Sequence, residues 1–105
     1  MPTATYAGTE VPLGEDGFFT DPAQWREEMA SEIARAEGIE ELTEQHWQVI
    51  KHMRHEFAAK GTGPTVRALG KTSGVTIKDL YRLFPKGPAK TAAKIAGIPK
   101  PRGCV

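Results

Sequence analysis

Residues 83–105 read LFPKGPAKTAAKIAGIPKPRGCV, and this stretch decides how the end of the chain folds. Pro85 ends the preceding helix, because proline lacks an N–H and clashes with the turn before it. Pro88 suits the first turn of a new helix, and Gly97 suits the left-handed residue that follows a last turn. The spacing therefore predicts one short basic helix over residues 88–96.

Beyond this helix the sequence predicts a flexible, solvated arm, residues 98–105. Two prolines exclude a helix there, and Lys100 and Arg102 keep the arm in water. Cys104, the single cysteine of the 105-residue chain, stands next to the last residue. A lone thiol is usually a small buried hydrophobic group, but no core easily encloses a penultimate residue beside Arg102. We therefore predict that Cys104 is exposed and reactive.

Size and composition indicate one small domain, residues 1–97, that carries this arm. The content of 39% hydrophobic and 26% charged residues is ordinary for a globular protein. No apolar run approaches the roughly 20 residues of a membrane helix, and we expect no signal peptide and no membrane partner. With a single cysteine there is no internal disulfide, so a cytoplasmic location is expected.

The two halves of the chain carry opposite charge. Residues 1–50 contain two basic and eleven acidic residues, a net charge of −9. Residues 51–105 contain twelve basic and two acidic residues, a net charge of +10. This asymmetry indicates either an acidic partner for the C-terminal half or mutual neutralisation of the two halves across the fold.

The N-terminal region predicts a β-hairpin followed by a helix. The hairpin spans residues 3–13 with its turn at Gly8 and Thr9, and Phe18 and Phe19 anchor it in the core. Asp21 followed by proline is a helix start, so one helix is expected from there to Gly38. Its apolar stripe consists of Trp25, Met29 and Ile33.

Three further helices are expected before the basic one. Thr43 caps a helix that runs to Lys60. The next starts at residues 62–64 and stops near Gly74, and Thr76 caps another over residues 77–84. Two sets of apolar residues are predicted to face inward from the first and last of these helices: Trp47, Ile50, Met53 and Phe57, and Ile77, Leu80, Tyr81 and Phe84.

Together these patterns predict a mainly α fold. It is a small orthogonal helical bundle with a helix-turn-helix-like core, an N-terminal β-hairpin and a flexible C-terminal arm. His46, His52 and His55 do not share one helix face and have no nearby cysteine, so we predict no metal site and no cofactor.

The run LYRLFPKGPAK…KIAGIPKPRGCV, with its penultimate cysteine, resembles the DsrC/TusE family of sulfur-carrier proteins. The similarity extends from about Trp47 to the end of the chain, and Gly17 and Trp25 match the family's N-terminal pattern. The resemblance implies that Cys104 accepts sulfur as a persulfide from one partner protein and delivers it to another. The chain would then be a protein substrate in a relay, and not a stand-alone catalyst.

The basic residues of the C-terminal half have expected roles in this relay. Lys100 and Arg102 favour the thiolate of Cys104, whereas the terminal carboxylate opposes it. Four further residues match basic positions of the family and are expected to line the surface where the arm folds back: Arg67, Lys71, Lys90 and Lys94. A solvated basic face is the alternative interpretation of these four.

Two departures from the family pattern leave its branch open. Members that act with dissimilatory sulfite reductase have a second cysteine on the last helix, where this chain has Ala93. Members that act in tRNA thiolation have a longer segment between the equivalents of Lys71 and Leu80. The resemblance therefore allows sulfur oxidation or reduction, or an indirect link to tRNA.

A regulatory or nucleic-acid-binding module is the alternative function. It rests on the helix-turn-helix outline, with Lys78 and Arg82 one turn apart on its second helix, and it treats Cys104 as a redox sensor. The family resemblance assigns this region a role other than DNA binding, so the relay is preferred.

Overall fold

The N-terminal segment forms a two-stranded antiparallel hairpin in the computed structural model, which describes residues 3–99 apart from the side chain of Glu15. Strand β1 (Thr3–Tyr6) pairs with β2 (Thr9–Pro12), and Tyr6 lies opposite Thr9. The turn residues are Ala7 and Gly8, with φ angles of 50° and 75°. Such a two-residue primed turn requires positive φ at both positions, so the predicted turn at Gly8 and Thr9 is wrong by one residue.

The hairpin is anchored in the core by two adjacent aromatic residues, as predicted. Phe18 and Phe19 are buried, and Phe19 forms a bridge to Leu13 just after β2. Tyr6 stacks on Phe19 with ring centroids 6.2 Å apart. The partly buried Tyr6 phenol has a pKa above its ordinary value, first because of desolvation and then because of the Glu37 and Glu32 carboxylates.

Helix α1 spans Glu27–Ala36 and begins later than the sequence predicted. Asp21 does cap a turn, accepting a hydrogen bond from the Ala23 N–H at 3.0 Å, but only the short 3₁₀ turn Pro22–Gln24 forms there. Trp25 has extended backbone angles, so its assignment to the helical stripe is wrong. The Trp25 indole instead makes a hydrogen bond to the main chain of Ile95, 70 residues later in the sequence.

Helix α2 spans Glu44–Lys60 and has the predicted limits. The Thr43 hydroxyl accepts from the His46 N–H at 3.4 Å, and the His46 Nδ1 accepts from the Thr43 N–H at 3.0 Å. This is a capping box with a histidine in the position usually held by Glu or Gln. Of its predicted inner face, Ile50 and Met53 are buried. Trp47 and Phe57 are half-buried against the core.

Helices α3 (Val66–Thr72) and α4 (Ile77–Leu83) form the predicted helix pair. Thr65 caps α3, so this helix begins after residues 62–64, and Thr76 caps α4 as predicted. Leu80 and Phe84 are buried. Ile77 and Tyr81 are 45% and 54% exposed, so their predicted inward orientation is wrong.

The reason for this exposure lies in the packing of α4. Leu80 and Leu83 make the edge of α4 that faces the core. Ile77 packs instead against Gly70 of α3, where an added Cβ would lie 2.4 Å from the Ile77 Cγ1 atom. Periodicity alone does not distinguish these two edges, because residues three and four apart are neighbours on both.

Helix α5 spans Pro88–Ile95 and is packed against α1, α2, α3 and α4. Its buried residues are mostly small: Ala89, Thr91, Ala92, Ala93 and Ile95, with Pro88 at the first turn. Small side chains allow several helices to approach one axis closely. None of the helices within residues 3–99 is both long and apolar enough to cross a lipid bilayer.

Candidate functional site

The last helix and the residues that follow it are the part of the structure closest in sequence to Cys104. Cys104, Lys100 and Arg102 lie outside the described residues, so their predicted roles remain predictions. The structure describes the segment that precedes the rest of the predicted arm, Ala96 to Pro99. This segment we call the arm root.

The arm root leaves α5 through a Schellman motif. Gly97 has a φ of 68°, its N–H donates to the Lys94 carbonyl at 3.1 Å, and the Ile98 N–H donates to the Ala93 carbonyl at 3.2 Å. Ile98 is 1% exposed. The sequence placed Ile98 in the arm, but its side chain belongs to the core, as the hydrophobic contact of this motif requires.

Two side chains from distant parts of the chain cap the end of α5. The Trp25 indole N–H donates to the Ile95 carbonyl at 2.8 Å. The Arg54 guanidinium donates to the Ala96 carbonyl at 2.7 Å and to the Pro22 carbonyl at 3.2 Å. It also lies over the Trp25 ring, 4.3 Å from the centroid. Carbonyls of a last helical turn lack intrahelical donors, and these two side chains supply them.

The same tryptophan restricts the arm root by direct contact. An added Cβ on Gly97 would lie 2.2 Å from the Trp25 Cδ1 atom, so only glycine fits beneath the indole. Burial lowers the pKa of the Arg54 guanidinium, which nonetheless keeps its charge because the ordinary value is so high. The arm root is therefore held in place by Trp25 and Arg54, with glycine required at position 97.

Of the four basic residues assigned to the arm-facing surface, the structure brings two together. Lys90 and Lys94 lie one turn apart on α5 and line a surface pocket of about 380 Å³. Its other lining residues come from three segments: Asp16, Phe18, Glu37, Lys86 and Thr91. Arg67 and Lys71 are exposed on α3 and do not line this pocket.

The ion pairs leave most of the charge asymmetry in place. The Lys94 ammonium lies 3.5 Å from the Glu37 carboxylate and joins the two halves of the chain. The pairs Arg26–Glu28, Lys60–Glu56 and Arg82–Asp79 each lie within one half. Within the described residues, close ion pairs therefore contribute little neutralisation between the two halves.

Two of the histidines, His46 and His52, and Arg82 of the helix-turn-helix have structural partners. The His46 Nε2 donates to the Leu83 carbonyl at 2.9 Å, which ties α2 to α4, and His52 bonds to the Thr72 hydroxyl at 2.7 Å. Within residues 3–99, His, Asp and Glu side chains do not assemble into a group of three that could hold a metal ion. Arg82, a candidate nucleic-acid contact, donates to the Asp79 carboxylate and, at 2.9 Å, to the side-chain amide oxygen of Gln45.

The sequence-based predictions missed three residues that the structure places in this region. Arg54 was assigned no role, although its position four residues after Ile50, on the predicted inner face of α2, was an available signal. Lys86 and Thr91 line the pocket with Lys90 and Lys94. The spacing of the three lysines, four residues apart, was the available signal for a common face.

Comparison with known proteins covers the whole chain. Residues 5–105 match the model of a protein family described as "DsrC like protein". The dissimilatory-type sulfite reductase gamma subunit of Nitratidesulfovibrio vulgaris (strain Hildenborough) is 38% identical over 105 residues, all of both chains. The sulfurtransferase TusE of Sodalis glossinidius is 44% identical over 107 aligned positions, 95% of this chain and 98% of TusE.

The fold agrees with these sequence matches. The crystal structure titled dissimilatory sulfite reductase I (DsrI) superposes with a TM-score of 0.87 at 38% identity, over 99% of this chain and 100% of the other. The mainly helical architecture with its N-terminal hairpin is thus that of known DsrC structures. Sequence, extent of the match and fold lead to one conclusion: this chain belongs to the DsrC-like family, as the C-terminal pattern indicated.

Proposed function

We propose that this chain is a sulfur-relay carrier that accepts sulfur as a persulfide on Cys104 and passes it to a partner protein. The observation that carries the proposal is the full-length relationship to a sulfite reductase gamma subunit and to the sulfurtransferase TusE. The family match extends to residue 105 and so includes the penultimate cysteine. The charge asymmetry and the fixed arm root support it.

The proposed transfer needs no external oxidant or reductant. The Cys104 thiolate attacks the outer sulfur of a donor persulfide, a new S–S bond forms, and the donor's S–S bond breaks. The donor cysteine leaves as a thiolate, and Cys104 carries the persulfide. The reverse sequence at a second protein delivers the sulfur. Lys100 and Arg102 are proposed to favour the thiolate, and Arg67, Lys71, Lys90 and Lys94 to support the arm electrostatically.

In this proposal the chain is a substrate of its partners. Sulfur-donor and sulfur-acceptor proteins would supply the acid–base groups, and the carrier contributes the thiol, the reach of the arm and a surface for docking. Because Ile98 is packed in the core, the reach is counted from Pro99, and the six residues after it extend over at most about 20 Å. The cytoplasm, where thiols remain reduced, is the proposed location.

The regulatory or nucleic-acid-binding alternative has no observation in its favour. Arg82 is held by Asp79 and Gln45, and the relatives compared above are named for sulfur chemistry. Binding to duplex DNA at low salt, with an affinity that falls steeply as the salt concentration rises, would reopen it. Such a fall is expected where basic residues contact phosphates.

Replacing Cys104 tests the proposal directly. The reduced protein is exposed to inorganic polysulfide, and intact mass is measured for the native chain and for Cys104→Ser. The native chain should gain about 32 Da, one sulfur atom, which a reductant removes, and Cys104→Ser should gain nothing. Lys78→Gln, an exposed change on α4, should load like the native chain. Reductant-sensitive loading of Cys104→Ser would contradict the proposal.

A further inference from the structure

A threonine hydroxyl opens into the pocket beside α5. Thr91 is 3% exposed and lines the pocket. Its hydroxyl has no side-chain hydrogen bond within residues 3–99, and no polar side-chain atom there is both sealed from solvent and unbonded, so the small exposed part of Thr91 includes the hydroxyl. Because polar groups of nearly buried residues normally have a partner, this hydroxyl is available to a ligand in the pocket.

Two lysines without an ion-pair partner among the described residues, Lys86 and Lys90, line the same pocket as this hydroxyl. Lys94 also lines it but is paired with Glu37 at 3.5 Å, so these two charges offset each other. Phe18 forms an apolar wall, with the Lys94 ammonium 5.6 Å from its ring centroid.

The start of α5 adds to the positive potential. The N-cap residue of α5 is Gly87, which has no side chain to cap the helix. Lys86, Lys90 and Thr91 lie in or next to the first turn of α5. The N–H groups of a first turn have no intrahelical acceptors and carry positive partial charge. Asp16 also lines the pocket, and its carboxylate weakens the attraction for an anion.

We propose that this pocket binds an oxyanion between the Thr91 hydroxyl and the ammonium groups of Lys86 and Lys90. Oxyanion binding here goes beyond the proposed thiol chemistry of Cys104, although the site shares Lys90 with the surface proposed to support the arm. Its ligand chemistry has two sources, a free inorganic oxyanion or a carboxylate on an acidic side chain of a partner protein. The volume of about 380 Å³ accepts either one.

The test uses the full chain under reducing conditions at constant ionic strength. Backbone amide shifts are followed by NMR while sodium sulfate or acetyl-triglutamate amide is added against sodium chloride. We expect saturable shifts at Lys90, Thr91 and Gly87. Lys90→Gln and Thr91→Val should each weaken binding about tenfold, the effect of one charge-assisted or buried hydrogen bond. Lys78→Gln, an exposed lysine of α4, should leave the affinity unchanged.

A gain-of-affinity variant makes the test independent of damage to the fold. Asp16→Asn removes the opposing charge, and asparagine tolerates the φ of 56° at this position. It should tighten binding of both probes. Tighter binding of sulfate would identify the ligand as a free inorganic oxyanion, and tighter binding of the triglutamate peptide would identify it as a carboxylate of a partner protein. Shifts confined to other regions, or equal affinities in the native chain, Lys90→Gln and Thr91→Val, would overturn the proposal.

Discussion

Arg54 is a half-buried cation whose bonds all go to main-chain carbonyls. It joins the 3₁₀ turn at Pro22 to the end of α5 at Ala96 and lies over the Trp25 ring. Hydrogen bonds from charged groups are stronger than neutral ones, and loss of the donor leaves carbonyls without partners. At the residue scale this one side chain therefore connects three segments of the fold.

Removing the guanidinium should destabilise the protein measurably. Arg54→Met keeps the aliphatic length and loses both hydrogen bonds and the cation–π contact. We expect the free energy of unfolding in urea to fall by about 2 kcal/mol. Lys51→Met, an exposed change on the same helix, should shift it by less than about 0.5 kcal/mol. Equal effects of the two changes would show that the Arg54 hydrogen bonds and cation–π contact contribute little to the stability of the fold.

Ala93 decides the redox behaviour of the proposed carrier. Its side chain is fully buried on α5. The family resemblance implies that two-cysteine members have a thiol at this position. Mild oxidation of the native chain should give a Cys104–Cys104 dimer or a mixed disulfide with a small thiol, and no internally crosslinked monomer. The chain should also be unable to act as co-substrate of a sulfite reductase that releases a trisulfide.

Restoring the second thiol provides the comparison. Ala93→Cys should form an internal disulfide with Cys104 on mild oxidation, seen as a monomer 2 Da lighter than the reduced form, about the mass of two hydrogens. Cys104→Ser in the same background should abolish it. An oxidised Ala93→Cys that contains only intermolecular disulfides would mean that the arm does not reach the inner face of α5.

At the scale of elements, α1 and α5 end in the same way. Each closes with a Schellman motif whose left-handed residue is glycine, Gly38 or Gly97, followed by a buried isoleucine, Ile39 or Ile98. The two glycines differ in their surroundings. An added Cβ would be 3.7 Å from the Lys86 Cε atom at Gly38 but 2.2 Å from the Trp25 Cδ1 atom at Gly97.

Alanine substitutions at these two glycines distinguish the cost of backbone strain from the cost of a steric clash with Trp25. Gly38→Ala should lose about 1 kcal/mol of stability, the cost of an L-residue in the left-handed region. Gly97→Ala should lose about 3 kcal/mol or more, because displacement of Trp25 adds to the same strain. Urea unfolding of both variants measures the difference. Similar losses would mean that the indole moves away from Gly97 easily.

The whole molecule has one acidic and one basic half, and the ion pairs of the described residues mostly stay within each half. Such a charge distribution attracts anionic reactants over distances comparable to the Debye length. The arm with Cys104 belongs to the basic half, so its thiolate should react preferentially with anions.

Reaction rates with two disulfide reagents test this attraction without a partner protein. Between about 0.01 M and about 0.5 M salt, the rate of reaction with the dianion 5,5′-dithiobis(2-nitrobenzoate) should fall about tenfold. The rate with neutral 2,2′-dithiodipyridine should stay nearly constant. Equal salt dependence for both reagents would show that the basic half exerts no net field at Cys104.

The sequence by itself determined the local features of this protein. The caps at Thr43 and Thr76, the helix stops at Gly61 and Gly97, and the anchoring of the hairpin by Phe18 and Phe19 were all predicted correctly. Each depends on residues within about one helical turn or one strand pair, where residue type constrains the backbone directly. The covalent order also places Cys104 at the end of the chain.

Only the tertiary structure decided the contacts between distant residues. Trp25 reaches the Ile95 carbonyl across 70 positions and Arg54 reaches Ala96 across 42, so no local pattern contains either contact. The same holds for the Thr91 pocket, whose lining comes from segments before α1, after α1 and along α5. Local periodicity specifies which faces of a helix are apolar, but the packing of the other elements determines which face is covered.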